Sequence, residues 1–437
     1  MMFDQIFTLL VLVAVVAAMI WDRVRADIVA LTGAAALLMV GVVRPVEVQS
    51  AFASPAIITL ASLFVIAYAL ELSGLLDRAI ALGVDLCRRM GSKGMWLLLS
   101  MIGGVSCFLN STPIVVLGAP VIRDIALSLK QSPKRYLIPL SYITILTGCC
   151  TLIGTSTNLL VDDMASLAGQ ARFGIFEITP VGLPIAIAGG LYLFLISGRL
   201  LDAHAEDKRE NDPDPADFSH SASMEAQVGD ASLFTEERPL QRGKAITAFA
   251  VFVGAIAFAA LDVAPITATA LGGAVLLILL RVISADEAYR GLKPEILILI
   301  AGMVVIGIAM EKSGLAEQAS HFLISSVDGL NPLIALIVLY IATMVLTELL
   351  SNATVAVLVT PVAVALAESL AVSPRPFLVA VMMAASAAFA TPFGYQTNVI
   401  VYQMAGYRYM DFVRVGLPLN FITCAVAIVA IQAAFPF

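Results

Sequence analysis

Charged residues are scarce in this sequence. Asp, Glu, Lys and Arg make up 13 % of the 437 residues, whereas hydrophobic residues make up 60 %. A soluble globular domain has about a quarter of its residues charged, so this scarcity excludes a soluble protein for most of the chain. The apolar residues form separate runs of helix length, roughly 17 to 25 residues, and not the alternating pattern of barrel strands. We therefore predict an all-α polytopic membrane protein.

Cysteine and histidine are also rare, with five and three residues respectively. Cys149 and Cys150 are adjacent, and the other cysteines lie in apolar runs or beside arginines, so no disulfide framework is visible. The histidines show no spacing typical of a metal site, and the sequence has no nucleotide-binding loop and no nucleophile constellation. These absences disfavour an enzyme, and we expect no cofactor and no nucleic-acid partner.

No Lys or Arg precedes the first apolar run, because residues 1–5 contain Asp4 as their only charged side chain. A cleaved signal peptide begins with a basic region. We therefore expect the first apolar run to remain as a membrane span.

The chain does contain a duplication. Residues 64–75 read FVIAYALELSGL and residues 304–315 read VVIGIAMEKSGL, which places Glu71 and Glu311 at equivalent positions 240 residues apart. Three further pairs recur in the same order near that offset: 109–112 with 350–353, 154–158 with 394–398, and 181–184 with 415–418. A repeated membrane sequence with polar clusters inside apolar stretches is typical of a secondary transporter.

Each half is predicted to contain five transmembrane helices and one re-entrant helical hairpin. The first repeat covers residues 1–200, with its hairpin at about 95–129, and the second covers 244–437, with its hairpin at about 332–370. Residues 201–243 are rich in Asp, Glu and Ser, which is typical of a flexible linker. Residues 75–91 read as an interfacial amphipathic helix with a weaker counterpart at 315–327. The predicted spans are 6–20, 27–43, 57–72, 136–160, 181–200, 245–260, 265–280, 296–310, 376–402 and 415–434.

The positive charges orient these spans. Alternating them across the membrane puts 21 of the 25 Lys and Arg residues on one side, which the positive-inside rule assigns to the cytoplasm. We therefore predict an inner-membrane protein with both termini outside and the linker inside. An odd number of spans per repeat makes the repeats inverted. The basic residues left on the outer side are Arg44, Arg172, Lys312 and Arg375.

Polar residues interrupt both predicted hairpins at membrane depth. Breaking a helix in hydrocarbon frees backbone groups that are costly unless protein, water or ligand pairs with them. Amides at the start of a half-helix attract anions, and carbonyls at its end coordinate cations. The alternative is that these residues only cap or join packed helices. The predicted substrate-binding residues of the two turns are Asn110, Ser111, Thr112, Ser351, Asn352 and Ala353.

A second polar pair interrupts the longest span of each half, at residues 153–158 and 393–398. Glycine permits close backbone approach, and hydroxyls and amides supply neutral oxygens that suit Na⁺ without burying a charge. A kinked helix without a ligand is the alternative. Together with the turns, these breaks would form one central site. There we expect Thr155, Thr157 and Thr397 to contact the anion, and Asn158 and Asn398 to contact Na⁺.

Glu348 stands in an apolar run four residues before Asn352, and an ionisable residue at that depth indicates function. It is a candidate coupling residue that would coordinate a cation, carry a proton or pair with another residue. Its equivalent in the first half is Cys107, so the repeats differ here.

Four other acidic residues have simpler interpretations. Asp162 and Asp163 are expected to mark a helix end near the outer surface. Glu71 and Glu311 precede Ser-Gly at span ends, where we interpret them as boundary residues.

The four polar elements resemble those of the divalent anion/sodium symporter family, the sodium-coupled dicarboxylate, citrate and sulfate permeases of the ion transporter superfamily. The resemblance covers nearly the whole chain and is most specific at residues 347–352 (TELLSN), 154–159 (GTSTNL), 391–398 (TPFGYQTN) and 406–408 (GYR). It implies a homodimer working by an elevator motion, in which hairpins and broken spans move against a scaffold of the earlier spans.

The resemblance also implies two sodium sites. Ser106 and Gly154 match one site, and Thr347, Asn352 and Gly394 match the other. The full set of residues predicted to bind Na⁺ is Ser106, Asn110, Gly154, Asn158, Thr347, Asn352, Gly394 and Asn398.

The chain departs from the family pattern at several positions. The family signature is Ser-Asn-Thr in both hairpins, where it binds carboxylate or sulfate oxygens and Na⁺. Asn110 and Ser111 reverse its first two residues, and Ala353 lacks the last hydroxyl. The prolines usual in the broken spans are replaced by residues 156–157 and 396–397. These replacements concern the substrate and the ion stoichiometry more than the fold.

The sequence therefore predicts Na⁺-coupled symport of a small divalent anion, with Na⁺ as the only metal ion. A cation/proton antiporter or an arsenite-type anion exporter of the same superfamily is an alternative, with Glu348 as proton carrier. An anion channel is an alternative of another class.

Overall fold

The protein is described by a computed structural model that covers all residues except 1, 22–23, 76–77, 79–86, 88–89, 130, 198–239, 262, 316–317 and 319–330. Every regular element of the described residues is a helix, as the all-α prediction requires. Most of the predicted linker at 201–243 lies outside the described residues. So does most of each predicted amphipathic segment, at 75–91 and 315–327.

The two halves contain the same order of helices. The first half consists of α1 (Met2–Trp21), α2 (Ala26–Val40), α3 (Pro45–Phe52), α4 (Pro55–Leu72), α5 (Ser92–Ser106), α6 (Ser111–Ser128), α7 (Lys134–Gly148), α8 (Ser156–Leu167) and α9 (Thr179–Tyr192), which a π-helical turn extends over Leu193–Ser197. The second half consists of α10 (Arg242–Ala260), α11 (Ile266–Leu279), α12 (Ala285–Gly291), α13 (Pro294–Lys312), α14 (Pro332–Thr347), α15 (Asn352–Ser369), α16 (Arg375–Ala385), α17 (Gln396–Ala405) and α18 (Tyr409–Ala434).

Many of these helices are long and apolar enough to cross a membrane. Seven helical stretches of the described residues meet both criteria, among them Pro294–Lys312 and Tyr409–Ala434. Five shorter apolar helices, including Asp27–Val40 and Ile266–Leu279, accompany them. The chain is therefore a multi-pass membrane protein.

The two longest predicted spans are each broken into two helices. The span at 136–160 appears as α7 and α8, which the non-helical residues 149–155 separate. The span at 376–402 appears as α16 and α17, which residues 386–395 separate. The unwound segments contain Gly154 and Gly394, where the sequence predicted the breaks.

The short helices α3 and α12 are absent from the sequence predictions. Both have an acidic residue at the third position of the helix. Glu47 accepts a hydrogen bond from the Arg44 amide at 2.8 Å, and Glu287 accepts one from the Ser284 amide at 2.7 Å. At Ser284 this is a capping box, whose Ser-x-x-Glu signature is readable in the sequence.

Helix packing follows the same order in both halves. In the first half, α5 and α6 pack on α7, and in the second half α14 and α15 pack on α16. Other contacts cross between the halves: α2 packs on α13 and α4 on α11, while α6 packs on α17 and α15 on α8. The hairpin of each half therefore contacts the broken span of the other half.

The repeated Val-Gly-Leu-Pro segments place a glycine against each break. A Cβ on Gly182 would lie 2.2 Å from the Cys149 carbonyl oxygen, and one on Gly416 would lie 1.8 Å from the Phe389 carbonyl oxygen. Only glycine fits at such separations, so α9 and α18 are each held in backbone contact with an unwound segment.

Candidate functional site

The first hairpin turn is fixed to the end of α7. The hydroxyls of Ser106 and Ser111 lie 3.1 Å apart, and both donate to the Thr144 carbonyl, at 2.9 and 3.0 Å. Asn110 caps α6, because its side-chain oxygen accepts from the Thr112 amide at 3.0 Å. Ser106, Ser111 and Thr112 are buried.

The second hairpin turn is fixed to the end of α16 in the same way. Thr347 donates to the Asn352 side-chain oxygen at 2.8 Å and to the Ala385 carbonyl at 2.7 Å. Ser351 caps α15, because its hydroxyl accepts from the Thr354 amide at 3.3 Å. Thr347, Asn352 and Ala385 each lie 241 residues after Ser106, Ser111 and Thr144, so the same contact occurs in both halves.

The two breaks are also built alike. The Gly154 amide donates to the Thr151 hydroxyl at 3.1 Å, and the Asn158 side-chain amide donates to the Thr151 carbonyl at 3.1 Å. The equivalent bonds, 240 residues later, run from Gly394 to the Thr391 hydroxyl at 3.0 Å and from Asn398 to the Thr391 carbonyl at 3.2 Å. In each half, an asparagine and a threonine hold the unwound segment.

Gly154 lies where backbone oxygens crowd the first break. A Cβ there would be 2.4 Å from the Gly148 carbonyl oxygen and 2.6 Å from the Cys107 carbonyl oxygen. The side-chain oxygen of Asn158 is buried and accepts no hydrogen bond from the protein. A buried polar oxygen without a partner is unfavourable, and this one is available to a water or a cation.

The halves meet at the predicted site. Thr112 of the first turn donates to the Gln396 side-chain oxygen at 3.2 Å, and the hydroxyls of Thr155 and Tyr395 lie 3.4 Å apart. These contacts bring the first turn and the first break against the second break.

Thr397 and Asn398 contact α7 instead. The Ser141 hydroxyl lies 2.7 Å from both the Thr397 hydroxyl and the Asn398 side-chain oxygen. Thr157 and Thr397 are buried. Of the predicted substrate contacts, Ser351, Asn352 and Ala353 are at least partly exposed, so the second turn is the more open one.

The Glu348 carboxylate accepts three hydrogen bonds. They come from the Ala390 amide at 2.7 Å, the Thr391 amide at 3.0 Å and the Asn420 side-chain amide at 2.9 Å. No basic side chain of the described residues forms an ion pair with it. Glu348 therefore joins the second turn to the second break and to α18. Sequence reasoning missed Asn420, because its counterpart in the repeat, 234 residues earlier, is the apolar Ala186.

Thr354 follows Ala353 and has a buried hydroxyl beside the second turn. Its hydroxyl lies 2.7 Å from that of Ser351, next to the second turn. A threonine one position beyond the expected signature therefore places an oxygen there, which comparison of the triplets alone did not indicate.

Asp162 and Asp163 do not mark a helix end, so that expectation was wrong. Both are buried within α8. Arg172 donates to Asp162 at 3.0 Å and to Asp163 at 3.1 Å, and the Phe173 amide donates to Asp162 at 2.7 Å. The arginine lies in the following loop, nine to ten residues away, which is why helix periodicity did not reveal the pairing.

Comparison with known proteins identifies this assembly. The family model for the citrate transporter family matches residues 16–371 and 349–436. The chain belongs to the citrate transporter family. It is therefore a secondary transporter of the citrate and sulfate permeases, and the resemblance to the divalent anion/sodium symporters is confirmed.

Two relatives of this citrate transporter family member match along nearly its whole length, and a third matches about a third of it. The uncharacterized transporter sll0640 of Synechocystis sp. is 26 % identical, covering 95 % of this chain and 94 % of that protein. The uncharacterized transporter YfbS of Escherichia coli is 24 % identical, covering 99 % and 100 %. Sodium/sulfate cotransporter 1 of Chlamydomonas reinhardtii is 34 % identical over 34 % of this chain and 17 % of that protein.

A solved structure has a similar fold. The crystal structure of the Alcanivorax borkumensis YdaH transporter superposes with a TM-score of 0.59, covering 96 % of this chain and 98 % of that chain at 11 % sequence identity.

Proposed function

We propose that this transporter carries out Na⁺-coupled symport of a small divalent anion, which is a dicarboxylate, citrate or sulfate. The observation that carries the proposal is a contact between hairpin turn and broken span that occurs once in each half. In each half, a hydroxyl at the end of one hairpin helix and a polar residue at the start of the next meet at the end of a half-helix.

The donor set favours Na⁺ as coupling ion. Hydroxyl, amide and carbonyl oxygens suit hard cations, and both breaks place such oxygens beside Gly154 and Gly394. The unpartnered Asn158 oxygen supports a cation in the first half.

Helix ends favour an anion between the cations. The helices α6 and α15 both begin at the site, and the positive end of each helix dipole attracts negative charge. No Lys, Arg or His occurs in residues 106–112, 148–158, 347–354 or 388–398. The charge of the anion is therefore balanced by bound Na⁺ and by helix ends, which makes the two ligands interdependent.

We also propose that the halves are inverted repeats and that the protein is an elevator-type homodimer. The recurring order and packing of helices supports the repeats, and the family resemblance supports the elevator and the dimer. For orientation, the excess of Lys and Arg on one side supports a cytoplasmic linker, and all four basic residues assigned to the outer side pair with acidic side chains.

Uptake of radiolabelled sulfate, succinate and citrate into proteoliposomes tests the symport. We expect uptake only with an inward Na⁺ gradient. Asn352→Ala removes the partner of Thr347 and should abolish uptake. Asn331→Ala is the matched control, because Asn331 caps the other end of the same hairpin. The proposal would be refuted if uptake without Na⁺ were as fast as uptake with Na⁺ at every pH tested.

Glu348 favours one alternative, because a membrane-depth carboxylate without a basic partner is suited to proton exchange. In a cation/proton antiporter or arsenite-type exporter, Glu348→Gln should remove the pH dependence of transport. In the symporter, the same substitution should leave transport dependent on Na⁺. An anion channel would show conductance far above carrier turnover in a planar bilayer.

A further inference from the structure

The two breaks contain equivalent asparagines, Asn158 and Asn398, which lie 240 residues apart. Both side chains are fully buried. In each, the side-chain amide donates to the carbonyl of the threonine seven residues earlier, Thr151 at 3.1 Å and Thr391 at 3.2 Å. The sequence predicts that both asparagines contact Na⁺, but the surroundings of their side-chain oxygens differ.

The Asn398 oxygen already has a partner in the protein. The Ser141 hydroxyl of α7 lies 2.7 Å from this oxygen, because α17 packs on α7. The Asn398 amide also donates to the Ala388 carbonyl at 2.9 Å. Asn398 therefore joins the second break to α7 through hydrogen bonds within the protein.

The Asn158 oxygen has no such donor. Helix α8 packs on α16 in the equivalent arrangement, but the residue 241 positions after Ser141 is the buried, apolar Met382. The Asn158 amide nitrogen is fixed by its bond to the Thr151 carbonyl, and the oxygen accepts no hydrogen bond from any of the described residues. A buried oxygen of this kind needs a ligand, either a water molecule or a cation.

Negative charge near Asn158 favours the cation. Asp162 lies four residues further along α8, one turn away on the same face, and Asp163 is next to it. Both carboxylates are buried. Among the described residues they share one basic partner, the partly exposed Arg172. One negative charge is therefore left in excess near the free oxygen, which suits a monovalent cation.

No such excess lies beside Asn398. The positions equivalent to the two aspartates, 240 residues later, are Tyr402 and Gln403, and neither is charged at neutral pH. The second half has a carboxylate at Glu348 instead, which accepts hydrogen bonds from three amide groups. The free oxygen and the neighbouring aspartates thus occur together in the first half alone.

We propose that Na⁺ binds to the Asn158 oxygen and that Asn398 holds the second break without binding an ion. An amide oxygen is a ligand suited to a hard cation. The Ser141 hydroxyl takes the place at Asn398 that the cation takes at Asn158. This assignment rests on the proposed symport and goes beyond it, because it makes the two halves unequal in ion binding.

Thermal unfolding of the purified full-length protein in NaCl and in choline chloride of equal concentration tests the assignment. A ligand that binds only the folded protein raises its Tm, and we expect Na⁺ to raise the Tm of the wild type. Asn158→Ala should lose roughly half of that rise or more, yet change the Tm in choline little, because it removes one hydrogen bond. Asn398→Ala is the matched control. It should keep the whole rise but lower the Tm in choline further, because it removes three hydrogen bonds.

Met382→Ser tests the same oxygen with Asn158 left in place. It introduces a hydroxyl at the position equivalent to Ser141, where it competes with the cation for the Asn158 oxygen. We expect the rise in Tm with Na⁺ to shrink as it does in Asn158→Ala. If Asn158→Ala does not fold, Met382→Ser decides the question.

Three results would overturn the assignment. A rise that survives intact in Asn158→Ala, or in Met382→Ser, would mean that the oxygen binds water. A rise that Asn398→Ala reduces as much as Asn158→Ala does would mean that the two halves bind ions alike. If Na⁺ does not raise the Tm of the wild type at any concentration, the proposed symport itself fails, which is distinct from a rise that is insensitive to Asn158.

Discussion

Replacing Glu348 gives the sharpest test of how the second turn is held. Its carboxylate accepts hydrogen bonds from Ala390, Thr391 and Asn420. A hydrogen bond to a charged group contributes about 1.5 to 3 kcal/mol. The side chain is partly exposed, so water can replace some of this, and the lower end applies. Three such bonds at the lower value amount to about 4 to 5 kcal/mol, and we expect Glu348→Ala to lower the free energy of unfolding by about that amount.

Glu348→Gln separates the contribution of one oxygen. The amide oxygen can keep the bonds to Ala390 and Asn420, but the amide nitrogen would face the Thr391 amide, donor against donor. We expect a loss of about 1.5 to 3 kcal/mol. Cys107→Ala is the control at the equivalent position, where no carboxylate is lost, and we expect about 1 kcal/mol or below.

Equilibrium unfolding in mixed detergent micelles, followed by circular dichroism, gives these free energies. The expected order of stability is wild type, then Cys107→Ala, Glu348→Gln and Glu348→Ala. If Glu348→Gln were as stable as the wild type, the carboxylate would not be holding the broken span, and Glu348 would be free to serve only in coupling.

The sequence predicted the architecture well because its strongest signals are local. Apolar runs of helix length, and polar clusters within them, depend on the thickness of the membrane and on the cost of unpaired backbone groups. One break contains Gly154 and the other contains Gly394, and in each the apolar sequence is interrupted by glycine and hydroxyl residues. The short helix α12 was missed because its signal is a capping pair and not an apolar run.

The site was predicted less completely, because its contacts join residues far apart in the chain. The residue types of the turns indicated polar breaks. They did not indicate that Ser106 and Ser111 would both donate to the Thr144 carbonyl. Glu348 was visible as an intramembrane charge, whereas Asn420, 72 residues away, has no motif that links it to Glu348. Pairing across such distances follows from tertiary packing, which single-sequence patterns do not encode.

Two further substitutions test the packing that holds the broken span. Gly154→Ala places a methyl group within 2.6 Å of two backbone oxygens, and should cost about 3 kcal/mol or more, whereas Gly104→Ala meets open space and should cost little. Arg172→Gln leaves Asp162 and Asp163 buried without their cation. Removing one partner from a buried pair costs about 3 to 5 kcal/mol, and the partly exposed arginine places the expected loss near the lower value. The double variant Arg172→Gln with Asp163→Asn removes one of the two buried charges and should recover part of that loss in the same unfolding measurement. If Arg172→Gln alone were neutral, water would be hydrating the two carboxylates, and the middle of α8 would not form the closed, ion-paired contact that the structure contains.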